Sequence, residues 1–347
     1  MNKIFSSKYL LAGILAASFL SPAAAQENTL YHLTKTIPLG GGVKWDYLHF
    51  DPATDRVYIS HGTRLDVVDA TTGKIVGHVT GLHGSHGIAI DPDTGFGYAD
   101  SGLTKTTSVF DLKTLKTVKT IPALLDADGM AFDPASGQVY VVGGDANAVM
   151  AVDAKTNTAV KTIGLGGSPE FLVADGAGAL FVNIKNKNEI VKIDTKTDTI
   201  TQRWPTSPCV GPVGLAIDPA TRRLFASCAN ATMVVLDADS GKVVTSLTIG
   251  KGTDADAFDP ATKMAFSSNR DGTLTVIKEN GPDDISVIGT VNTAPGARTM
   301  TLDPATGRLF LTTATVKTAA PPKHPDGPPR YEFVPGTLKL LIFDPVS

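Results

Sequence analysis

The chain has 347 residues, of which 42% are hydrophobic and 19% are charged, and its formal net charge at pH 7 is −3. A mildly acidic chain without basic runs is a poor candidate for binding a nucleic-acid backbone, because that binding depends on Lys and Arg neutralising phosphates. The length alone would allow two ordinary domains, but an internal repeat described below overrides that expectation.

The first 25 residues are predicted to be a signal peptide that is removed from the mature protein. Lys3 and Lys8 form a basic start, residues 9–20 are apolar, and residues 23–25 supply a small-residue cleavage site. This apolar stretch is too short to span a bilayer as a helix, and no later stretch approaches the length needed. The sequence therefore predicts an exported protein, periplasmic or secreted, that does not span a membrane.

A ten-residue segment recurs through the mature chain, for example as DPATDRVYIS at 51, DPASGQVYVV at 133 and DPATGRLFLT at 303. The Asp residues that open the copies are Asp51, Asp91, Asp133, Asp175, Asp218, Asp259 and Asp303, spaced 40 to 44 residues apart. This period is the size of a four-stranded propeller blade. The segments are β-branched and aromatic, separated by turn residues, which excludes helical arrays of similar period. We therefore predict an all-β, seven-bladed β-propeller in a single domain spanning 26–347.

Each unit is predicted to contain four strands, labelled a to d. Strand a ends at the Asp-Pro turn and strand c at a second Asp turn, where the Asp side chain can bond its own backbone. The seventh unit lacks strand d, and residues 31–39 have the form of one. We expect this N-terminal strand to join the last blade and close the ring. We also expect a monomer.

The units resemble the YVTN-repeat, YncE-like family of seven-bladed β-propellers. The resemblance is carried by DPATGRLFLT, DPASGQVYVV, LFVNIKN and the pattern VxDxxTxxxVxTIxxG, and it covers essentially the whole mature chain. It implies the propeller fold but no particular activity, because propellers host many functions. Nucleic-acid binding is sometimes attached to YncE-like proteins, but the acidic balance argues against it here.

The residues that do not repeat point to a site at the mouth of the central channel. The Asp turns face one side of the ring, so function is expected on the other side, where the d–a and b–c loops emerge. Five residues before each closing Asp, six of seven side chains are ionisable: Asp46, His86, Asp128, Glu170, Val213, Asp254 and Arg298. Asp256, three residues before its closing Asp, stands alone among apolar residues.

This ring has the chemistry of a metal or ligand site. Asp46, His86, Asp128 and Glu170 come from four consecutive blades and could hold a divalent metal; oxygen ligands suit calcium or magnesium, and His suits manganese, zinc or copper. Arg298 could pair with Asp254 and Asp256 or bind a substrate carboxylate. His83 and His61, on the same face, are further ligand-binding candidates. The alternative is a polar channel in which salt bridges tie the blades together around ordered water.

Two function classes remain open on the sequence. The leading hypothesis is a binding or accessory protein that holds a small-molecule ligand, a metal or an exported protein partner at the channel mouth. The alternative is an enzyme of the lactonase, lyase or isomerase class. In that case His86, Asp128 or Glu170 would act as acid or base, and Arg298 or a metal would stabilise an anion. A divalent metal is the only cofactor that the pattern suggests.

Two further features lie on the loop-bearing face. Cys209 and Cys228 are an even number of cysteines in an exported chain, which indicates a disulfide pinning the rim of blade five. Residues 314–336 form a Pro-rich insertion, expected to be a stiff strap. It either folds over the mouth and delivers His324, Arg330 and Tyr331, or is a solvated edge. His49 is interpreted as a packed core histidine, and His78 is given no role.

Overall fold

The computed structural model of the protein describes Met1 and residues 30–323 and 327–346. The predicted signal peptide, apart from Met1, lies outside the described residues, and so does His324. The described chain is built from β-strands with one short 3-10 helix, Lys185–Lys187. None of its helices is long and apolar enough to cross a membrane.

The described strands form seven blades, which confirms the predicted all-β propeller; six are four-stranded sheets, and in blade one a single long strand takes the place of two. The first strands of neighbouring blades face one another around the central channel. In chain order the strands are β1 (Tyr31–Pro38); in blade one β2 (Leu48–Asp51), β3 (Arg56–Asp69) and β4 (Ile75–Ser85); in blade two β5 (Ile88–Asp91), β6 (Phe96–Ser101), β7 (Thr106–Asp111) and β8 (Thr117–Pro122); in blade three β9 (Ala127–Asp133), β10 (Gln138–Gly143), β11 (Ala148–Asp153) and β12 (Thr158–Gly164); in blade four β13 (Pro169–Ala174), β14 (Ala179–Ile184), β15 (Glu189–Asp194) and β16 (Thr199–Pro205); in blade five β17 (Pro212–Asp218), β18 (Arg223–Cys228), β19 (Thr232–Asp237) and β20 (Val243–Thr248); in blade six β21 (Thr253–Asp259), β22 (Met264–Asn269), β23 (Thr273–Gly281) and β24 (Asp284–Asn292); and in blade seven β25 (Met300–Asp303), β26 (Arg308–Thr313), β27 (Val316–Ala320), β28 (Arg330–Phe333) and β29 (Lys339–Pro345).

The N-terminal strand closes the ring as predicted. β1 pairs antiparallel with β29, from Tyr31↔Pro345 to Pro38↔Lys339, and the sheet order of blade seven is β1-β29-β26-β25. Tyr31 is buried and its ring packs edge-on against Phe266 of blade six, with 5.5 Å between the ring centroids. Closure therefore covers the outer edge of β29, which would otherwise be an unpaired template for aggregation.

Blade one differs from the others in that β3 supplies both its second and its third strand. The first part of β3 pairs with β2 and the second part pairs with β4. Gly62 lies between the two parts with φ +63, a left-handed conformation that glycine adopts without strain. His61, predicted to lie in a b–c loop, is therefore a residue within β3.

One buried aromatic ring per blade packs the sheets together. The rings occupy the same position in the second strand of every blade: Tyr58, Tyr98, Tyr140, Phe181, Phe225, Phe266 and Phe310. In blades two and three the tyrosine hydroxyl also donates a hydrogen bond to the next blade, at 2.6 Å to Asn157 Oδ1 and 2.8 Å to Asp198 Oδ1. The repeated residues thus encode contacts within and between blades.

The repeated Asp side chains form turns, as predicted. Asp51 Oδ1 accepts a hydrogen bond from the backbone N of Ala53 at 3.0 Å, and Asp218 Oδ1 accepts one from Ala220 at 2.8 Å. These carboxylates lie at the ends of the first strands and stabilise the reversal into the second strands.

The Pro-rich insertion in blade seven contains a hairpin where a strap was expected. Strand β27 pairs antiparallel with β28. The physical reason is the placement of the prolines. Pro321, Pro322, Pro328 and Pro329 lie between the two strands, where no ladder N–H is required, and both strands are free of proline. The ring of Phe333 packs against Trp45 with 4.9 Å between centroids, which fixes the hairpin to blade one.

The predicted disulfide is present. Cys209 precedes β17 and Cys228 ends β18; their Cα atoms are 5.6 Å apart and both side chains are buried. The bridge joins two segments on the loop-bearing face of blade five.

Replacing both cysteines with serine (C209S/C228S) should lower the free energy of unfolding by about 2–4 kcal/mol, because the bridge restricts the unfolded chain. Urea denaturation of the wild type and the double variant measures this loss. Reduction of the wild type should produce a similar decrease, which separates loss of the bridge from burial of serine hydroxyls. Equal stability of oxidised and reduced wild type would contradict the expectation.

Candidate metal centre at the channel mouth

Asp46, His86 and Asp128 meet at the mouth of the channel. Each lies where the chain enters the first strand of its blade, in blades one, two and three. His86 Nδ1 is 2.7 Å from Asp46 Oδ2 and 3.9 Å from Asp128 Oδ1. One ligating atom from each residue lies within 4.8 Å of the others. Three neighbouring blades thus bring together two carboxylates and an imidazole in a geometry that could hold a metal ion.

The electrostatics of this cluster are strongly perturbed. The hydrogen bond from His86 to Asp46 raises the pKa of His86 to about 9, against the opposing effect of burial. Burial raises the pKa of Asp128 well above its usual range, and the charge of Asp46 adds to the effect. Asp128 Oδ1 is buried without a hydrogen-bond partner among the described residues. The cluster therefore contains a carboxyl oxygen that is screened from water and lacks a donor, a situation that a cation would relieve.

Asp100 positions His86 from the second strand of blade two. Its Oδ1 accepts hydrogen bonds of 2.7 Å from the backbone N of His86 and the backbone N of Gly87. Burial raises the pKa of Asp100 to about 7, although these hydrogen bonds oppose the shift. The backbone at His86 is thereby held by a fully buried side chain, so the imidazole is presented by a rigid element.

The other side of the ring consists of ion pairs. Arg298 pairs with Asp254 through its Nε and lies 3.5 Å from Asp46 Oδ1 through Nη2. The Arg298 guanidinium also lies 5.9 Å from the centre of the Trp45 ring. Lys185 Nζ pairs with Glu170 Oε1 at 2.7 Å. Glu170 and Asp254 are therefore engaged by cations of the chain, whereas Asp46 is shared between His86 and Arg298.

An aromatic pair narrows the channel beneath the ring. Tyr47 and Phe171 each follow a ring residue, in blades one and four, and their ring centroids are 4.9 Å apart. Burial raises the pKa of Tyr47 well above its usual value, and the carboxylates of Asp128 and Asp254 add to the shift. The mouth is thus lined by the polar ring residues, with the Tyr47–Phe171 pair next to them in the channel.

The hairpin insertion reaches the channel mouth from the side of blades six and seven. Pro328, between its two strands, lines a cavity of about 170 Å³. The other lining residues are Lys185, Val213, Ala229, Gly252, Thr253, Asp254, Arg270 and Arg298. Of the residues predicted on the insertion, Tyr331 is half-buried. Burial raises the pKa of Tyr331, the charge of Asp271 adds to the shift, and the charge of Arg270 opposes it. Arg330 is exposed and donates to the backbone O of Pro321.

Three other predicted candidates make different contacts. Asp256 is buried between blades five and six, where Oδ2 accepts a hydrogen bond of 2.9 Å from the backbone N of Ser227. Burial raises the pKa of Asp256 to about 7 against the hydrogen bonds from Ser227. His83 is exposed on the rim. His61 is buried and its Nδ1 lies 2.6 Å from Asp66 Oδ2.

His61 belongs to a separate cluster around the buried Asp66 in blade one. Asp66 is fully buried and faces three basic side chains: His61 Nδ1 at 2.6 Å, Arg64 Nε at 2.7 Å and His78 Nδ1 at 2.8 Å. His61 Nε2 also lies 2.9 Å from the backbone O of Gly42. His78, given no role from the sequence, is therefore a partner of Asp66.

Several functional positions were not identified from the sequence. Lys185 and Arg270 lie at the second-to-third strand connections of blades four and six, and no repeat position singles them out. Asp100 had a usable signal. At its position in the second strand the other blades carry only small, polar or apolar residues: Ser60, Val142, Asn183, Ser227, Ser268 and Thr312. A buried carboxylate at a position where the other six blades have no acidic residue indicates a role that is specific to blade two.

Comparisons with known proteins identify the fold alone. No family model matches the chain, and no curated protein matches it. Solved structures with a similar fold include a chain of the Kuenenia stuttgartiensis hydrazine synthase, with a TM-score of 0.69 and 15% sequence identity. That similarity covers 83% of this chain and 96% of the other.

Proposed function

We propose that the protein is an exported, YncE-like β-propeller that acts as a binding or accessory protein and holds a divalent cation through Asp46, His86 and Asp128. The observation that carries the proposal is the convergence of these three side chains within 4.8 Å. The repeat motifs support the family assignment. The disulfide and the basic-apolar N-terminal sequence support export.

The donor set favours a first-row transition ion over calcium. Two carboxylates and one imidazole suit manganese, iron or zinc, whereas calcium takes six to eight oxygen ligands. The three residues are held by separate blades, so no loop has to close to assemble the site. Two groups of the chain compete with the ion: the proton on His86, and Arg298, 3.5 Å from Asp46.

Replacing His86 with alanine should weaken Mn²⁺ and Zn²⁺ binding at least about tenfold, since the loss of outer-shell partners alone costs that much in metal sites. Binding is measured by equilibrium dialysis of the mature protein, purified without chelator from an exporting host. His83→Ala is the matched control, because His83 is exposed on the same rim. Absence of near-stoichiometric binding by the wild type, or equal losses in both variants, would refute the cation site.

Acid–base catalysis at the same ring is a second candidate. It is favoured by the raised pKa values of two neighbouring groups. The hydrogen bond to Asp46 raises the pKa of His86, and burial raises the pKa of Asp128. An enzyme of the lactonase, lyase or isomerase class would lose turnover in Asp128→Asn while keeping its fold. A binding protein would show no turnover in the wild type with the same substrates.

A further inference from the structure

The cavity beneath Pro328 adjoins the proposed cation site but is lined by different side chains. Lys185 reaches it from blade four, Arg270 from blade six and Arg298 from blade seven. Three cationic side chains from three blades therefore converge on one small space of about 170 Å³.

Two of the three cations that line this space have carboxylate partners. Lys185 pairs with Glu170, and Arg298 pairs with Asp254. In the part of the chain that the structure describes, the guanidinium of Arg270 has no hydrogen bond or ion pair. Arg270 is thus the surplus cation of the cavity.

The adjacent Asp271 does not supply the missing anion. Its Oδ2 accepts a hydrogen bond of 2.7 Å from the backbone N of Lys251, and its Oδ1 accepts one of 2.6 Å from the hydroxyl of Thr273. This carboxylate therefore stabilises the turn between β22 and β23 in blade six, and both of its oxygens already accept hydrogen bonds from groups other than Arg270.

Arg270 is partly shielded from water. It is half-buried, and burial together with the charge of Arg298 lowers its pKa. A guanidinium that is partly shielded from water gains from a paired anion or from hydrogen bonds. The planar guanidinium presents a fork of N–H donors that matches the two oxygens of a carboxylate or phosphate group.

We propose that this cavity binds a small oxyanion, a carboxylate or a phosphate, with Arg270 as the principal donor and Lys185 and Arg298 as flanking cations. Pro328 limits the space above Arg270, so short ligands are favoured over long ones. The anion site adjoins the cation site of the proposed function but does not require it. The two proposals can therefore fail separately.

Isothermal titration of the mature protein with malonate, succinate and inorganic phosphate tests the anion site alone, provided that metal is first removed with a chelator and the chelator is then removed by gel filtration. Arg270→Gln should weaken binding at least about tenfold, because it removes the charge-assisted hydrogen bonds of the guanidinium. Arg330→Gln is the matched control. It also removes one positive charge, but Arg330 lies on the hairpin insertion, donates to the backbone O of Pro321 and does not line the cavity. Comparing the carboxylates with phosphate identifies the preferred oxyanion.

Asp326 precedes Pro328 by two residues in the sequence and lies outside the described residues, so Asp326→Asn is titrated in parallel. Binding of any probe by the wild type or by Asp326→Asn, lost in Arg270→Gln and kept in Arg330→Gln, supports the proposal. No binding by either protein, or equal weakening in the two arginine variants, overturns it. Repeating the titration with Mn²⁺ reports on the cation site separately.

Discussion

Raising the pH from about 6 to about 8 should tighten Mn²⁺ binding at the channel mouth by about a hundredfold, because each proton that the ion displaces contributes about a factor of ten per pH unit. The proton comes from His86. The hydrogen bond to Asp46 raises the pKa of His86 to about 9 in the metal-free protein, so the imidazole carries a proton throughout this range. A ligating imidazole must be neutral, and the ion therefore competes with that proton.

Asp128 acts in the same direction. Burial and the charge of Asp46 raise its pKa, so it too retains a proton at pH values where an ordinary carboxylate is ionised. If Asp128 also gives up a proton on binding, the dependence is steeper than that of His86 alone. Above pH 9 the contribution of His86 should disappear, since its proton is then already lost.

The measurement is a series of Mn²⁺ binding isotherms from pH 6 to pH 9, with proton release followed by calorimetry in buffers of different ionisation enthalpy. His83→Ala should reproduce the wild-type slope, because His83 lies outside the cluster. An affinity that does not change with pH would mean that His86 is not a ligand of the ion.

The fold could be predicted in detail because its causes are repeated. The spacing of the Asp-Pro turns defines the length of a blade, and the aromatic residue in each second strand packs that blade against its neighbours. All seven copies of the repeat therefore predict the same structure. The closing strand was also predictable, since the last unit lacked its fourth strand and residues 31–39 had the form of one. The signal for the fold is therefore present many times over in one chain.

The site was only partly predictable, because its residues occur once. Aligning the first strands brought Asp46, His86 and Asp128 to one height and offered Asp254 and Asp256 as partners of Arg298, but it could not show that Arg298 pairs with Asp254 while Asp256 bonds to Ser227. Lys185 and Arg270 lie in connections that the repeat does not constrain. The hairpin of the insertion depends on the pairing of β27 with β28, which the proline content obscured.

A separate polar cluster around the buried Asp66 explains why His61 and His78 could not be assigned from the sequence. His61 and His78 are 17 residues apart in the sequence and come together only through the pairing of Asp66 with His78 across β3 and β4. A carboxylate with three basic partners in a buried strand is a stabilising arrangement. His61, which looked like a rim ligand, therefore has a structural partner.

Replacing Asp66 with asparagine should lower the free energy of unfolding by about 1–3 kcal/mol at pH 7, the cost of leaving a buried hydrogen-bonding group unsatisfied, because two of its three partners, Arg64 and His78, are themselves partly exposed. The substitution keeps the size of the side chain and deletes its charge, leaving His61, Arg64 and His78 around a neutral amide. Thermal and urea denaturation measure the loss. Asp69→Asn, in an exposed turn on the same strand, should cost far less.

The pH dependence distinguishes loss of the charge from a packing defect. Burial opposes ionisation of Asp66, but hydrogen bonds from His61 and Arg64 outweigh it and hold its pKa below the usual value. The stabilisation is therefore complete above the unfolded-state pKa of about 3.9 and is lost as the pH falls through the lower folded-state pKa. The difference between wild type and Asp66→Asn should shrink as the solution is acidified below about pH 4, because the wild-type carboxyl then becomes neutral as well. A difference that stays constant down to pH values where both proteins are still folded would assign the loss to packing, and would contradict an ionic role for Asp66.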